Sequence, residues 1–161
     1  MMKTYIFKHS LLGVILGLSI LGCTEGDKFD YNKNMAFITG TETTPVTKFV
    51  VEDTPSSYAV TASTTDKVDK DVNVKFAIDR SLVETYNNEH NTKYYAIPEG
   101  AVTLEDADAV IQAGKAFSTP ATVKVISNEG FAEGRVYVVP VTMVEVDGLE
   151  ILKPSKTIFL Q

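Results

Sequence analysis

The sequence contains one cysteine, Cys23, two histidines and no tryptophan. A single thiol excludes a disulfide within these 161 residues and a zinc site built from several thiolates. Only His90 lies beyond the first 22 residues, which argues against a mechanism or a zinc site that needs two histidines. Without tryptophan, the strongest aromatic residue for sugar stacking is missing; tyrosine can stack on a sugar, though less strongly.

The sequence also lacks a basic cluster. Its formal net charge is −6, and since the first 22 residues carry Lys3 and Lys8 but no acid, the remainder stands at −8. An acidic surface of this kind repels phosphate backbones and anionic membrane surfaces, so no nucleic-acid partner is expected. Hydrophobic residues make up 44% of the chain, enough for the packed core of one domain.

The longest apolar run near the N-terminus, residues 11–21, is too short to cross a membrane as a helix. At about 1.5 Å per residue it spans roughly 16 Å, whereas a bilayer core is about 30 Å thick. Behind Lys3 and Lys8, this run fits the apolar region of a secretory signal peptide.

The run ends in Ile20-Leu21-Gly22-Cys23, which resembles the lipobox of bacterial lipoproteins. There, a small residue precedes a cysteine whose thiol receives a diacylglycerol. We predict a lipoprotein signal peptide over residues 1–22, lipidation of Cys23, and a flexible tether over residues 23–34. Acyl chains, at about 0.8 kcal/mol per buried CH₂, then join the protein to the membrane. The alternatives are an ordinary signal peptide with a chance cysteine and a plain membrane anchor.

Acidic residues, Glu25 and Asp27, follow the cysteine. They resemble the export signal that sends lipoproteins of the Bacteroides group to the cell surface. We therefore expect an outer-membrane lipoprotein exposed at the cell surface. The alternatives are a merely solvated acidic tether and a location at the periplasmic face.

From residue 35 onward, short apolar runs alternate with turn residues, which is typical of a β-sandwich. The clearest strands are predicted over residues 71–79 and 121–126, where apolar and polar residues alternate. Weaker strands are predicted over residues 36–40, 48–51, 58–62 and 102–104.

A C-terminal hairpin is predicted from residues 135–146 and 149–160, joined by a type I′ turn at Asp147-Gly148. Pro140 cannot donate a backbone hydrogen bond, so it marks an edge, a bulge or a strand that changes sheets. The inward residues of these strands are expected in one core: Val74, Phe76, Val123, Val125, Tyr137, Val139 and Val141.

One short helix is predicted from Ser81. Ser81 and Glu84 have the spacing of a capping box, in which each side chain bonds the other residue's backbone N–H. Leu82, Val83 and Tyr86 then form an apolar stripe. The helix should end within residues 87–91, because Asn and His are poor helix formers.

Several segments, in their order and spacing, match those of a known protein family. They are residues 74–79, Leu82-Val83, Tyr86-Asn87, Thr92, Tyr94, Ile97-Pro98, residues 111–114, residues 137–143, and the last strand with Lys156, Thr157 and Phe159. Together they resemble a Bacteroides-type lipoprotein domain of unknown function. That domain sits at the N-terminus of surface proteins, ahead of endo-β-N-acetylglucosaminidase-type hydrolases or laminin-G-like lectin modules.

The resemblance covers roughly residues 37–160 and implies an immunoglobulin-like antiparallel β-sandwich, mainly β with one short helix; we place this domain at residues 35–161. It further implies a surface lipoprotein often encoded with glycan-degrading machinery, and it implies no catalytic residues. Because Gln161 directly follows the last predicted strand, we expect no hydrolase or lectin module here, which weakens the role of spacer for a larger enzyme.

Carboxylates are the remaining candidates for chemistry. They are densest at two places: Glu105, Asp106 and Asp108, and Asp66, Asp69 and Asp71. Solvated loops are the simplest interpretation; paired-acid catalysis and calcium binding are the alternatives, although neither segment has EF-hand spacing. No nucleophile motif and no phosphate-binding glycine loop occurs in the sequence. We predict no catalytic residue, no metal site and no cofactor, with calcium left open.

The best candidate ligand site comprises five residues: Tyr94, Tyr95, Asn87, Asn88 and Asn91. A sugar ring stacks its C–H face on an aromatic ring, while amides bond its hydroxyls. Strand alternation turns one of the adjacent tyrosines outward, and the other is expected in the core with Tyr86. His90, at the helix end, is expected to face the last carbonyls.

Three functions follow from these features. The first is a surface-anchored binding or adhesion module, for glycans or for a partner protein of a polysaccharide-utilisation system. The second is a structural spacer or assembly module without its own ligand. The third, least favoured by the missing motifs, is a small glycoside hydrolase.

Overall fold

The structure, a computed structural model, describes residues 33–52 and 54–161. The predicted signal peptide, Cys23 and nearly all of the tether therefore lie outside the described residues. Within the described ranges, no helix is both long enough and apolar enough to cross a membrane.

The described part of the chain is built mainly from strands. In chain order these are β1 (Met35–Ile38), β2 (Val46–Thr47), β3 (Ser56–Val60), β4 (Ala62–Thr64), β5 (Val72–Ile78), β6 (Tyr94–Ala96), β7 (Val102–Glu105), β8 (Asp108–Ile111), β9 (Ala121–Val125), β10 (Val136–Val146), β11 (Glu150–Ile151) and β12 (Thr157–Leu160). The helix α1 (Leu82–His90) lies between β5 and β6, and a 3₁₀ turn (Lys153–Ser155) precedes β12.

The strands form a large sheet and two smaller ones. The large sheet has the order β2-β12-β10-β5-β8, and β6 pairs with the first part of β10. The smaller sheets have the orders β11-β1-β4 and β3-β9-β7. The predicted mainly β sandwich with one short helix is confirmed. Most pairs are antiparallel, and the short pairs β1/β11, β12/β2 and β10/β6 are parallel.

The main core lies between one face of the large sheet and the two smaller sheets. Val74 and Phe76 of β5 are buried there, 1% and 2% exposed, together with Val123 of the opposing β9. Val139 and Val141 of β10 join them. Alternation along β5, β9 and β10 therefore predicted the inward faces correctly.

Tyr137 is the exception among the seven residues expected in this core. It is half-buried and lies near the start of β10, where the neighbouring strand on one side is the short β6. Its ring stacks on Phe131 instead, with centroids 4.7 Å apart. Placing it in the core was wrong because the alternating face of β10 continues beyond the core.

The outer face of the large sheet is covered by α1. Val83, Val138 and Phe159 are buried between them and form what we call the outer cluster. The partly buried side chains packed against it include Tyr86 and Tyr94. The predicted apolar stripe of the helix thus faces the sheet.

The predicted C-terminal hairpin is correct in its pairing and wrong in its turn. β10 and β12 are antiparallel, with Thr142 opposite Thr157. The chain between them forms β11, which pairs with β1 of another sheet, and then the 3₁₀ turn. Pro140 lies where the partner of β10 on one side changes from β6 to β5, so the residue without an N–H falls between two ladders.

The weaker strand predictions mostly hold. Residues 36–40, 58–62 and 102–104 overlap with β1, β3 and β7, and the first two predicted ranges run two residues past the ends of their strands. Residues 48–51 form no strand, because the neighbouring β2 pairs with the last two residues of β12 and that partner then ends. Phe49 and Val51 still pack against the main core.

The helix α1 begins where predicted but is capped by a different residue. Ser81 makes no side-chain capping bond, so the predicted capping box is wrong. Instead, Oδ1 of Asp79 accepts hydrogen bonds from the N–H and the hydroxyl of Ser81, at 3.1 and 2.6 Å. The end at His90 agrees with the prediction, and Asn91 follows in the left-handed conformation at φ 51°.

Candidate functional site

The strand β6 presents its two adjacent tyrosines to opposite faces. Tyr94 is half-buried against the outer cluster, whereas 43% of Tyr95 is exposed. The sequence predicted that one of the two tyrosines faces outward without indicating which one, and the structure shows that it is Tyr95.

Two further aromatic rings continue from Tyr95 across the surface. Tyr137 lies opposite Tyr95 in the parallel pair of β6 and β10, with ring centroids 6.0 Å apart. Phe131 stacks on Tyr137 at 4.7 Å and an interplanar angle of 17°. We call Tyr95, Tyr137 and Phe131 the aromatic row. The guanidinium carbon of Arg135 lies 4.6 Å from the centroid of the Tyr95 ring.

The loop that supplies Phe131 and Arg135 is tied to the row through Tyr137. The Tyr137 hydroxyl accepts a hydrogen bond from the backbone N–H of Ala132 at 3.0 Å and donates to the carbonyl of Gly130 at 3.5 Å. Gly130 has φ +82°, a backbone conformation that favours glycine. The row is therefore held in place before any ligand binds.

The sequence alone did not indicate Phe131, Tyr137 or Arg135 as site residues. Tyr137 was assigned to the core by strand alternation, and the other two lie in the connection between β9 and β10. Only the parallel pairing of β6 with β10 brings them to Tyr95. A weak signal existed, since Phe131, Arg135 and Tyr137 lie close together in the sequence, next to Gly130 and Gly134.

Asn87, one of the five predicted ligand residues, is engaged within the protein. Its Nδ2 donates to the carbonyl of Tyr94 at 2.8 Å, and its Oδ1 accepts from the N–H of Tyr94 at 2.9 Å. The same Oδ1 accepts from the Thr92 hydroxyl at 2.8 Å. This amide therefore holds the edge of β6 against α1, and it positions the tyrosines.

Asn88 and Asn91 are exposed at the end of α1. Since α1 packs on the outer cluster, that end lies on the side of Tyr94, whereas Tyr95, the next residue along β6, faces the other way. The structure thus brings Asn87 and Tyr94 together and separates them from Tyr95. The five residues predicted as one patch lie on two faces of β6.

Tyr86 lies at the centre of the outer-face aromatic residues. Its ring stacks on His90 at 4.2 Å and lies 4.4 Å from Phe159 and 6.0 Å from Tyr94. Burial raises the pKa of the Tyr86 phenol, and the neighbouring Tyr94 raises it further. Beside these rings, an open groove of about 400 Å³ separates α1 from the 3₁₀ turn.

The predicted acidic segments make contacts of their own. Glu105 pairs with Lys124 at 2.8 Å, and Asp108 lies 4.0 Å from Lys75. Oδ1 of Asp71 accepts a hydrogen bond from the N–H of Ala113 at 2.8 Å. Across residues 33–52 and 54–161, no three His, Cys, Asp or Glu side chains converge in a way that could hold a metal ion.

Comparison with known proteins places this geometry in context. A family model described as a "-like, N-terminal domain" matches residues 31–150, which is well over half of the chain. No curated protein sequence matches the chain.

Several solved structures share the fold. A Bacteroides ovatus protein described as a candidate carbohydrate-binding protein has a TM-score of 0.69 at 19% identity, covering 78% of this chain and 36% of that one. A two-domain Bacteroides fragilis protein of unknown function has a TM-score of 0.61 at 15% identity, covering 81% and 45%. EndoBT-3987 from Bacteroides thetaiotaomicron, solved with a Man5GlcNAc product, has a TM-score of 0.58 at 21% identity, covering 73% and 28%.

These likenesses are likenesses of fold. The chain spans less than half the length of each of the three structures, and at such identities shared architecture is what they establish. They agree with the β-sandwich described above.

Proposed function

The chain belongs to the N-terminal-domain family whose model matches residues 31–150, as its sequence segments predicted, and from this premise we propose that it is a surface-anchored module that binds glycans. One observation carries the proposal: an exposed tyrosine, Tyr95, continues into two further rings that are fixed by the fold. Preorganised aromatic surfaces bind the C–H faces of sugars at a lower entropic cost, because fewer side chains have to be ordered on binding. No catalytic role is assigned to these residues.

The similar structures support a glycan as the ligand. One is described as a candidate carbohydrate-binding protein, and another was solved with a mannose-containing product. Both are longer chains of which this domain matches a part, so their ligands enter here as support for a proposal.

The anchoring part of the proposal comes from the sequence. Residues 1–22 would be removed, Cys23 would carry the lipid, and residues 23–34 would join it to the domain at 35–161. The acidic residues behind Cys23 favour the outer membrane and exposure at the cell surface, with the periplasmic face as the alternative. Such a tether lets the module reach ligands some distance from the membrane.

A structural spacer without a ligand is the second candidate. It is favoured by the size of the similar structures, in which the matching part is between 28% and 45% of the chain. A domain that accompanies larger partners can serve to hold them away from the membrane.

Calorimetry of the purified protein, after a glycan array has supplied the ligand, separates the two candidates. A single stacked ring contributes about 1–2 kcal/mol, by analogy with stacking of bases on aromatic residues, so binding should lie in the roughly micromolar-to-millimolar range. Tyr95→Ala should then weaken binding roughly 5- to 30-fold.

Phe117→Ala is the matched control, because Phe117 is 63% exposed and lies outside the aromatic row. It should bind like the wild type. Unchanged affinity in Tyr95→Ala would move the site elsewhere, and no binding across the array would favour the spacer.

A further inference from the structure

Arg135 is the cation that packs against the aromatic row. The ion pairs of the described residues are made by lysines: Lys33 with Glu150, Lys75 with Asp108, and Lys124 with Glu105. No carboxylate within the described ranges lies within 4.0 Å of the Arg135 guanidinium. This group instead lies 4.6 Å from the ring centroid of the exposed Tyr95.

The position of this guanidinium suits it for binding a planar anion. A guanidinium carries five N–H donors in a rigid plane, and this fork matches the two oxygens of a carboxylate. Its contact with the Tyr95 ring restrains it, whereas a free arginine would lose more conformational freedom on binding. Its loop is also fixed near the row, since the Tyr137 hydroxyl accepts a hydrogen bond from the N–H of Ala132.

We propose that the aromatic row binds a glycan that carries a carboxylated sugar, with the carboxylate on Arg135 and the sugar ring against the part of the row that the guanidinium does not cover. This inference rests on the proposed glycan-binding function and specifies its ligand class. A neutral sugar could contact the aromatic row, but the N–H donors of Arg135 would then remain bonded to water. A uronic-acid-type sugar contacts the row and also accepts hydrogen bonds from Arg135, so it fits both groups best.

The negative charge of the domain limits how many carboxylates the ligand can carry. The chain beyond residue 22 carries a formal charge of −8, and the loop of Arg135 also contains Glu129 and Glu133. These charges repel a ligand with many carboxylates, whereas one carboxylate in direct contact with Arg135 is screened from distant charges beyond about 8 Å at physiological salt. The ligand is therefore a largely neutral glycan with an isolated acidic sugar, and a long polyuronate is disfavoured.

The test compares each carboxylated glycan with its own methyl ester, which removes the charge and keeps the sugar. An array of such pairs, read with the purified protein, should show its strongest signals from glycans with one acidic sugar. For the best pair, calorimetry should give about tenfold or greater loss of affinity on esterification, as expected for hydrogen bonds to a charged group. Polygalacturonate should bind more weakly than the singly charged glycan.

Two variants assign the effect to Arg135. Arg135→Gln should lose about tenfold or more in affinity for the acid and should lose much less for the ester, which no longer carries the charge. Arg135→Lys keeps the charge but not the fork, so it should recover only part of the loss. Arg135 is exposed, and equal melting temperatures would show that both variants fold.

The outcomes separate this inference from the proposed function. Esters or neutral glycans that bind as tightly as the acids would overturn the inference and leave glycan binding standing. An unchanged acid affinity in Arg135→Gln, or tighter binding of polygalacturonate, would also overturn it. No binding to any glycan would overturn both.

Discussion

Replacing Phe76 with alanine tests the account of the main core. Phe76 lies in the middle of β5, opposite Met143 of β10, and 2% of it is exposed. It contacts the core between the large sheet and the smaller sheets, so its removal leaves a cavity that the surrounding strands cannot close without breaking their pairing.

The expected loss in the free energy of unfolding is about 3–5 kcal/mol, from lost burial together with the cavity. This is a large share of the roughly 5–15 kcal/mol that stabilises a typical domain. The melting temperature should fall by roughly 10–20 °C. Urea denaturation followed by circular dichroism measures the same loss as a lower midpoint with an unchanged slope.

Phe117→Ala makes the same chemical change at a side chain that is 63% exposed. It should shift the midpoint little, within about 0.5 kcal/mol. If Phe76→Ala melted within a degree or two of the wild type, or no lower than Phe117→Ala, the placement of β5 in the core would be refuted.

Three further experiments test the anchor, the support of the site and the start of the helix. Cys23→Ser should leave an uncleaved precursor without incorporated palmitate; processing and labelling of the variant would contradict the lipobox assignment. Asn87→Ala should cost about 1–3 kcal/mol in urea denaturation because partly buried backbone groups of β6 lose their partner, while Asn88→Ala, at an exposed neighbour, should be nearly neutral. Asp79→Ala should cost about 0.5–2 kcal/mol and more than Ser81→Ala; the reverse order would restore the capping box.

Local pattern was sufficient for most of the fold. Alternation of apolar residues predicted the inward faces of β5 and β9, because a strand has a period of two and these strands cross the whole core. The same rule failed at Tyr137, where β10 extends past the core, and at the Asp147-Gly148 turn, where the chain departs to pair with β1. Both failures arise because the outcome depends on contacts with segments far away in the sequence, and the local pattern of residues carries no information on those contacts.

The candidate site was predicted only in part. Alternation required that one of Tyr94 and Tyr95 face outward, but choosing Tyr95 required knowing that α1 covers the other face. Asn87 looked like a free amide, and its use by the backbone of β6 appears only when the helix and the strand meet. Phe131 and Arg135 reach Tyr95 through the parallel pairing of β6 with β10, a contact between segments about forty residues apart.

Nuclear magnetic resonance of the isotope-labelled protein, titrated with the strongest glycan from the array, tests the central claim most directly. Backbone amide signals of Tyr95, Tyr137 and residues 130–135 should shift together and saturate with one affinity in the roughly micromolar-to-millimolar range. Signals of α1 and of the 3₁₀ turn at Lys153–Ser155 should stay in place. Shifts confined to the groove between those two elements, or no shift with any glycan, would contradict the claim that the aromatic row is a glycan-binding surface.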